Sequence, residues 1–546
     1  LALATTLVAW AVLVYTSAGI PVVWDEVEYL VRAERVGAWL RLVFDTTHPD
    51  GGRHAFAESV VLDQWWFIRY SEGHPAWFAF PIALGQALFT GLVDPLAAAR
   101  LGPITVFSLA CGAVAFRLKA TYGTTAALVA PIALLTFPRL FSHAHFATLD
   151  GQLTAWWLML WAADSPNGGG RPATLVRVGV LAGLTSATKF TGWLSWVPLL
   201  LARSLRRDAG WRWVIWLPLI GLLTFWLVNP PLWNSPFTGM SEHLARALGR
   251  ASTDNIAMVF LGETYDTARS LPWYNSLVWL VLATPLGTLI LGLIGVWWCV
   301  QTVVRRRSNG IVDPVVRATS IALLLHWGVL MVIRALPGVP PHDGIRLFLP
   351  AFGFWCVLAG VGAQRMWDTA VLHSRGSAWA VRIVLVAVLA AGALNLARYY
   401  PQGLSHYSLL VGGVRGAAGL GMEPTYWWDA MDDEVLEWLN GHTTSGAAVA
   451  FSRISRQNLD QLREWGQLRV RVTSSDDGDF QWYVLQNRPG LFNRVEHTLF
   501  EGFSPVYAKY AGRHVASVPS DLRVPLILVY SSAQYAEAAV RVEGEP

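Results

Sequence analysis

Between Tyr274 and Val300 the chain reads YNSLVWLVLATPLGTLILGLIGVWWCV, an apolar run without a single Asp, Glu, Lys or Arg. A helix needs about 20 such residues to cross the hydrocarbon of a bilayer, so this stretch is long enough to span one. Similar runs lie near residues 1 to 20, 101 to 116, 121 to 137, 151 to 163, 173 to 188, 190 to 202, 213 to 233, 318 to 333, 347 to 363 and 383 to 397. Together they predict a polytopic α-helical membrane protein of about eleven spans. Several runs are short, so their helices must extend into flanking polar residues or meet a thinned bilayer. The composition agrees: 54% of residues are hydrophobic and 14% charged, where a soluble domain carries roughly 25% charge. Residues 1 to 20 read as a signal anchor rather than a cleaved signal peptide, because the later spans need a start.

The same composition argues against other classes. With 41 Lys and Arg against 37 Asp and Glu the net charge is only +4, and no long basic face is left to neutralise a nucleic-acid backbone. Cys111, Cys299 and Cys356 fall inside apolar stretches with no His or Cys at ligand spacing. That pattern fits packing residues better than a disulfide framework or a structural zinc site.

Basic residues set the predicted orientation. Five loops, carrying Arg117 and Lys119, Arg171 and Arg177, Arg203 to Arg212, Arg305 to Arg317, and Arg365 to Arg382, hold fifteen arginines and lysines; the four alternate loops after residue 137 hold seven. By the positive-inside rule the first set is cytoplasmic. Reporters fused at Gly169 and Ser308 should then be cytoplasmic, and reporters beyond Tyr400 external. The loop from 21 to 100 also falls outside. Ala76 to Leu92 is apolar enough to span, but a span there would invert every later loop against the charge bias. It reads instead as a helix lying in the outer interface, or dipping in and returning.

The composition changes after residue 400. Charged residues return, and strand-like runs at Ala447 to Phe451, Leu468 to Val472, Gln481 to Leu485 and Val524 to Tyr530 are separated by turn residues. Asp429 to Asn440 reads as a capped helix with Val435, Leu436, Trp438 and Leu439 on its apolar face. The prediction is a multi-span membrane domain over 1–400, with its outer loop at 21–100, followed by a soluble extracytoplasmic α/β domain over 401–546.

Ionisable residues are costly within a bilayer and are functional candidates there. In this chain they gather at the predicted outer ends of the spans. Trp24-Asp25-Glu26-Val27-Glu28-Tyr29 follows the first span, and Arg69 to Pro75 contains Glu72 and His74. Pro138 to Asp150 contains Arg139, His143, His145 and Asp150; Lys189 and His342-Asp343-Gly344-Ile345-Arg346 complete the set. Each has a plainer reading alone. Asp25 could cap a helix, Arg139 and Lys189 could snorkel to headgroups, and His143 or His145 could be a satisfied polar residue beside a neighbouring helix. Taken together, five clusters of mixed sign on one face suggest an outward-facing polar site. His326, near the middle of its span, reads as an ordinary buried histidine.

In order along the chain, Asp25-Glu26, Glu72-x-His74-Pro75, His143-Ala144-x-Phe146-Ala147-x-x-Asp150, Thr188-Lys189-Phe190 and Gly344-x-Arg346-x-x-x-Pro350 resemble the polytopic GT-C glycosyltransferases of family 39. These are the protein O-mannosyltransferases and bacterial relatives that include the lipid A aminoarabinose transferases. Gly262 to Tyr265, Leu271 to Tyr274, Val411 to Ala417 and Tyr426-Trp427-Trp428 look like segments of uncharacterised bacterial members. The resemblance implies a multi-pass protein of a bacterial cytoplasmic membrane, with its active site on the outer face. It implies a polyprenyl-phosphate sugar as donor, bound from among membrane lipids, and a protein, lipid or glycan acceptor. It places the catalytic base at Asp25, with Glu26 beside it, a second acid at Asp150, and donor contacts at Lys189 and Arg346. Arg139, His143, His145 and His74 join the donor set. His145 stands where the mannosyltransferases usually have arginine, so Arg139 or Arg346 would supply that phosphate contact. No cofactor motif is legible; the aminoarabinose transferases suggest a divalent cation near Glu72.

The chemistry asks for the same groups. A lipid phosphate is a good leaving group, so positive charge to stabilise its departure matters more than a strong general acid. The acceptor hydroxyl needs a positioned carboxylate to take its proton. One base opposite a basic cluster implies a single displacement with inversion. A transporter or lipid flippase is the rival class, but such proteins place ionisable residues near the midplane, often in two related halves. A membrane-anchored binding protein, with its outer domain doing the work, predicts indifference to changes in the membrane loops.

Overall fold

The computed structural model describes residues 1–65, 74–166, 171–206, 210–253, 256–304, 313–513 and 517–544. Gly169, Ser308 and Glu72, each singled out from the sequence, lie outside the described residues. Among the described residues five helices are long and apolar enough to cross a membrane: Pro95–Thr121, Leu286–Val304, Pro314–Arg334, Arg346–His373 and Arg375–Tyr399. Three of them start on side-chain caps. Asp94 accepts the amides of Leu96 and Ala97, Asp313 that of Val315, and Ser374 that of Ser377, with proline at the first helical position in the first two. The apolar window of Arg346–His373 is 94% buried, so this helix runs through the middle of the bundle. That of Arg375–Tyr399 is only 11% buried. So large an apolar face would be untenable in water and belongs against lipid.

The other runs expected as spans are helical but shorter. They form Ala2–Ser17, Thr124–Thr136, Leu149–Ala163, Pro172–Thr188, Trp196–Arg206 and Trp211–Leu227. Thr124–Thr136 and the following Pro138–His145 bend by 76° at their junction. The run from Tyr274 to Val300, read as one span, is two helices, Asn275–Ala283 and Leu286–Val304. Proline explains the break: Pro285 has no amide to donate and pushes the residue before it out of the helical region, and Thr284 is extended at φ −84°, ψ 131°. Residues 190 to 202 begin as a 3-10 turn, Phe190–Ser195, before Trp196–Arg206 continues as an α-helix.

Within Ala76 to Leu92 the helix is Ala79–Phe89, 11 residues, about 16 Å at 1.5 Å per residue and roughly half the hydrocarbon thickness. It folds back on Pro95–Thr121. A Cβ added to Gly102 would lie 1.8 Å from the carbonyl oxygen of Pro81, so glycine is what lets the two backbones touch.

Beyond residue 400 a five-stranded sheet forms. In space its order is β4 (Arg471–Thr473), β3 (Ala448–Phe451), β5 (Trp482–Gln486), β7 (Ile527–Ser531), β6 (Tyr507–Lys509), following the hairpin strands β1 (Met258–Phe260) and β2 (Glu263–Tyr265) earlier in the chain. The pairs β3·β4 and β3·β5 are parallel; β5·β7 and β6·β7 are antiparallel. Four of the strands overlap the runs read from sequence. The fifth, β6, is three residues long and carries no alternating pattern to reveal it. The helix expected at Asp429 begins at Asp433, because Asp432 is the residue whose carboxylate accepts the Val435 amide. This region sits on the ends of the helices that carry the polar clusters: Asn458 Nδ2 donates to the Val23 carbonyl at 3.2 Å, and the Trp24 amide to the Trp427 carbonyl at 3.0 Å.

Candidate active site

Asp150 falls in the first turn of helix Leu149–Ala163, just after a reversal of the chain at residues 146 to 148. A Cβ on Gly151 would lie 1.9 Å from the His143 carbonyl oxygen, so the reversal needs glycine there. Asp150 is 1% exposed. Its Oδ1 accepts from Lys189 Nζ at 2.5 Å and its Oδ2 from Arg346 Nε at 2.9 Å. Lys189 reaches it from the point where helix Pro172–Thr188 ends and the backbone turns extended.

Arg346 is the hub. While Nε serves Asp150, Nη1 donates to Asp343 Oδ2 at 2.7 Å and Nη2 to Asp25 Oδ2 at 2.6 Å. The Trp427 ring covers the guanidinium face at 3.6 Å from its centroid. Three carboxylates brought this close are tolerable only if cations are shared among them, and a planar fork on an aromatic face supplies that sharing in a way lysine does not. Residues 25, 150, 189 and 346, which sequence alone placed in separate loops, therefore meet in one network.

Asp25 occupies the cap position of helix Glu26–Val43, yet its side chain makes no capping hydrogen bond. The capping reading is thus replaced by the contact with Arg346. Its side chain keeps 20% of its surface, against 1% for Asp150 and 6% for Asp343. Of the three carboxylates on Arg346 it is the one an incoming hydroxyl can reach most readily.

The Asp343 carboxylate is presented by a left-handed pair, Asp343 at φ 60° and Gly344 at φ 58°. Trp427 and Trp428 are also left-handed, at φ 60° and 63°. Such backbone in non-glycine residues costs of order 1–3 kcal/mol each and persists where surroundings over-determine it. Burial alone would raise the Asp343 carboxyl, but Arg488 and Arg346 together hold it below the usual carboxylate range. Arg488 donates from Nη2 to Asp343 Oδ1 at 2.9 Å, and its Nε lies 3.4 Å from Glu423 Oε2. Burial pushes the Glu423 carboxyl up to about 7, with Arg488 pulling it the other way.

A cavity of 390 Å³ opens beside this network. Leu194, Leu248, Leu330, Ile333, Val339 and Phe348 form much of its apolar wall, and Lys189, Arg346, His74, His342 and Arg334 supply its polar lining. Its size is that of a small-molecule site. A long apolar wall with several cations suits an amphiphile whose head is anionic.

The remaining candidates separate. Glu26 points away from Asp25: its carboxylate accepts from Arg100 Nε at 2.8 Å, Arg100 Nη2 at 2.7 Å, the Ala147 amide at 2.7 Å and the Val23 amide at 3.2 Å, and it is fully buried. Arg100 in turn donates to the carbonyls of Ser17, Ile20 and Pro21. The geometry is that of a staple between the first loop, helix Pro95–Thr121 and the reversal before Asp150. Glu26→Gln is expected to lower unfolding stability by about 2 kcal/mol, the worth of a hydrogen bond to a charged group, with transfer per folded molecule retained. Thermal unfolding of the purified variant beside a turnover assay checks both halves.

His145 is likewise engaged elsewhere. Its Nδ1 lies 2.7 Å from the Phe141 carbonyl, and its Nε2 lies 3.0 Å from that of Leu13 and 2.8 Å from Thr16 Oγ1. It joins helix Ala2–Ser17 to Pro138–His145. His143 faces the site, its ring 5.6 Å from that of Trp427. The Arg139 guanidinium lies among the rings of Tyr407, Trp279 and Tyr426 at 4.7, 5.4 and 5.4 Å, with Nε donating to the His406 carbonyl at 3.0 Å. His74 is buried at the cavity. Glu72 falls outside the described residues, and among those described no group of three His, Cys, Asp or Glu side chains is placed to hold a metal ion.

Arg488, Glu423, Trp427 and Arg100 were not among the residues chosen from sequence. Trp427 stands in the Tyr426-Trp427-Trp428 segment, whose aromatic density was visible. Arg488 follows a strand in an ordinary turn and gave no signal.

No protein-family model matches this chain, and no curated protein matches it. Among solved structures it is similar to ArnT from Cupriavidus metallidurans bound to undecaprenyl phosphate, at 16% identity over 97% of each chain with a TM-score of 0.47. The likeness to the apo state of ArnT is 16% identity over 98% of each chain, with a TM-score of 0.49. The chain is also similar to the Archaeoglobus fulgidus oligosaccharyltransferase in complex with Zn and sulfate, at 11% identity. That match covers 88% of this chain and 68% of the other, with a TM-score of 0.46.

Proposed function

We propose that this chain is an integral-membrane glycosyltransferase that moves a sugar from a polyprenyl-phosphate donor to an acceptor hydroxyl on the outer face of the membrane. The observation that carries this reading is the apolar cavity with Lys189 and Arg346 in its lining, both already bonded to Asp150. A polyprenyl chain is apolar and its phosphate anionic, so the wall takes the tail and the two cations take the head. His74 in the cavity lining, with His143 and Arg139 on the Trp427 side of Arg346, completes the donor side. Residues 1–400 form the membrane domain with about eleven crossings, the bilayer thinning around the shorter helices, and 401–546 the outer domain.

In this reading Arg346 times the reaction. Before reaction it holds Asp25 at 2.6 Å, which fixes the carboxylate in place. As the bond from the sugar's anomeric carbon to the phosphate oxygen breaks, negative charge grows on the departing phosphate. Lys189 and Arg346 stabilise that charge. The hold of Arg346 on Asp25 weakens as its own charge is drawn to the phosphate. Asp25 then takes the proton of the acceptor hydroxyl whose oxygen attacks from the opposite side, so one bond forms as the other breaks and the configuration inverts.

Incubating membranes that contain the protein with radiolabelled polyprenyl-phosphate sugars tests this. Label should pass from the lipid fraction to an acceptor fraction and leave a polyprenyl phosphate behind. If the labelled lipid instead crosses the bilayer chemically unchanged, the transporter reading takes its place.

A further inference from the structure

Arg488 comes from the far part of the chain, 145 residues beyond Asp343. It lies two residues past the end of β5, where Asn487 is fixed to the sheet: its amide donates to the Leu526 carbonyl at 2.9 Å and its Nδ2 to the Pro525 carbonyl at 2.7 Å. The backbone under Arg488 is thus set by the C-terminal sheet rather than by the helices. Its side chain is 5% exposed, and it is absent from the lining of the 390 Å³ cavity. Its guanidinium meets Asp343 at 2.9 Å and lies 5.5 Å from the Tyr426 ring. Asp343 stands between two arginines, one in the cavity wall and one outside it.

We infer that Arg488 is a positioning residue for donor binding: by sharing Asp343 it limits how tightly that carboxylate holds Arg346, and so leaves Arg346 free to receive a lipid phosphate. The inference rests on the glycosyltransferase reading above and names the part the C-terminal region plays in it. The physical reason is competition. Arg488 bonds Asp343 Oδ1 while Arg346 bonds Oδ2, so its positive charge offsets the carboxylate charge that would otherwise repel an arriving phosphate and compete with it for Arg346. Without Arg488, Asp343 would bind Arg346 as a closed pair, and an arriving phosphate would have to displace a carboxylate already desolvated beside it. Since Arg488 acts through Asp343, its effect should disappear when Asp343 loses its charge.

The test uses the full-length protein in detergent and undecaprenyl phosphate as the probe, with turnover of the labelled donor measured on the same samples. Arg488→Gln should weaken probe binding about 10-fold, or about 1.4 kcal/mol, and raise the donor KM with a much smaller change in kcat. Arg488→Lys, which keeps the charge, should bind nearly as the parent does. Adding Asp343→Asn to Arg488→Gln should restore binding to within about 3-fold of the parent, because the carboxylate that over-holds Arg346 is gone, a non-additive result expected of coupled neighbours. If the two changes instead add, each weakening binding independently, Arg488 is a structural residue and the inference fails. Lys189→Met separates this from the underlying reading. If Lys189→Met loses the probe while Arg488→Gln binds normally, only the role of Arg488 is overturned; if Lys189→Met binds normally, the donor site is wrong and the inference goes with it.

Discussion

Asp25→Asn is expected to slow sugar transfer by about 10²-fold or more, the usual cost of removing a general base, while insertion, folding and binding of polyprenyl phosphate stay normal. The substitution is nearly isosteric. The side-chain oxygen of asparagine can still accept from Arg346 Nη2, so the 2.6 Å contact survives in weaker form. What disappears is the ability to take a proton. The deeper carboxylates should behave differently. Asp150 is 1% exposed and bonded to both Lys189 and Arg346, so Asp150→Asn removes the charge that balances two buried cations and should lower stability. The discriminating measurement is turnover at saturating donor beside a binding isotherm, on variants shown to melt alike. Near-normal turnover in Asp25→Asn, with Asp150→Asn inactive but still binding donor, would move the base to Asp150.

The difference between Asp25 and Glu26 marks where sequence reading succeeds and where it stops. Both are acidic, adjacent and just beyond the first apolar run, so composition and spacing treat them alike. What separates them is Arg100, 74 residues away, which takes Glu26 into a pair with no exposed atoms. A pairing over that distance leaves no local pattern. The hydrophobic runs were legible because crossing a bilayer demands a long apolar segment, and this is why Pro314–Arg334 and Arg375–Tyr399 fall where they were expected. The break at Thr284-Pro285 was missed, because hydropathy runs straight through it, although proline carries its own steric signature. His143 and His145 show the limit again. Two residues apart on a helix they face different ways, one toward Trp427 and the other toward Leu13, and only the packing of Ala2–Ser17 decides which. Arg488 lay furthest from reach, because its role depends on where a five-stranded sheet docks.

The second large effect concerns the cations. Lys189→Met keeps the apolar stem and deletes only the ammonium, and it is expected to weaken donor binding and slow transfer together, by about 10²-fold in turnover if the charge acts as other preorganised donors do. Lys189→Arg should be partly tolerated, since a point charge near Asp150 is what the site takes from that residue. Arg346→Lys should be the harsher exchange. Its three guanidinium nitrogens hold three different carboxylates, on Asp150, Asp343 and Asp25, and its flat face lies under Trp427. A lysine at that place would keep the charge but lose the fork and the stacking, so Asp25 would no longer be fixed against the phosphate side. The contrast between the two conservative swaps tests the arrangement more sharply than either deletion. Snorkelling anchors at a membrane surface would respond in another way: Lys189→Met would alter expression or insertion and leave donor affinity and turnover per folded molecule unchanged. Equal tolerance of Lys189→Arg and Arg346→Lys would show that charge alone matters and that the three-carboxylate geometry around Arg346 plays no part in transfer.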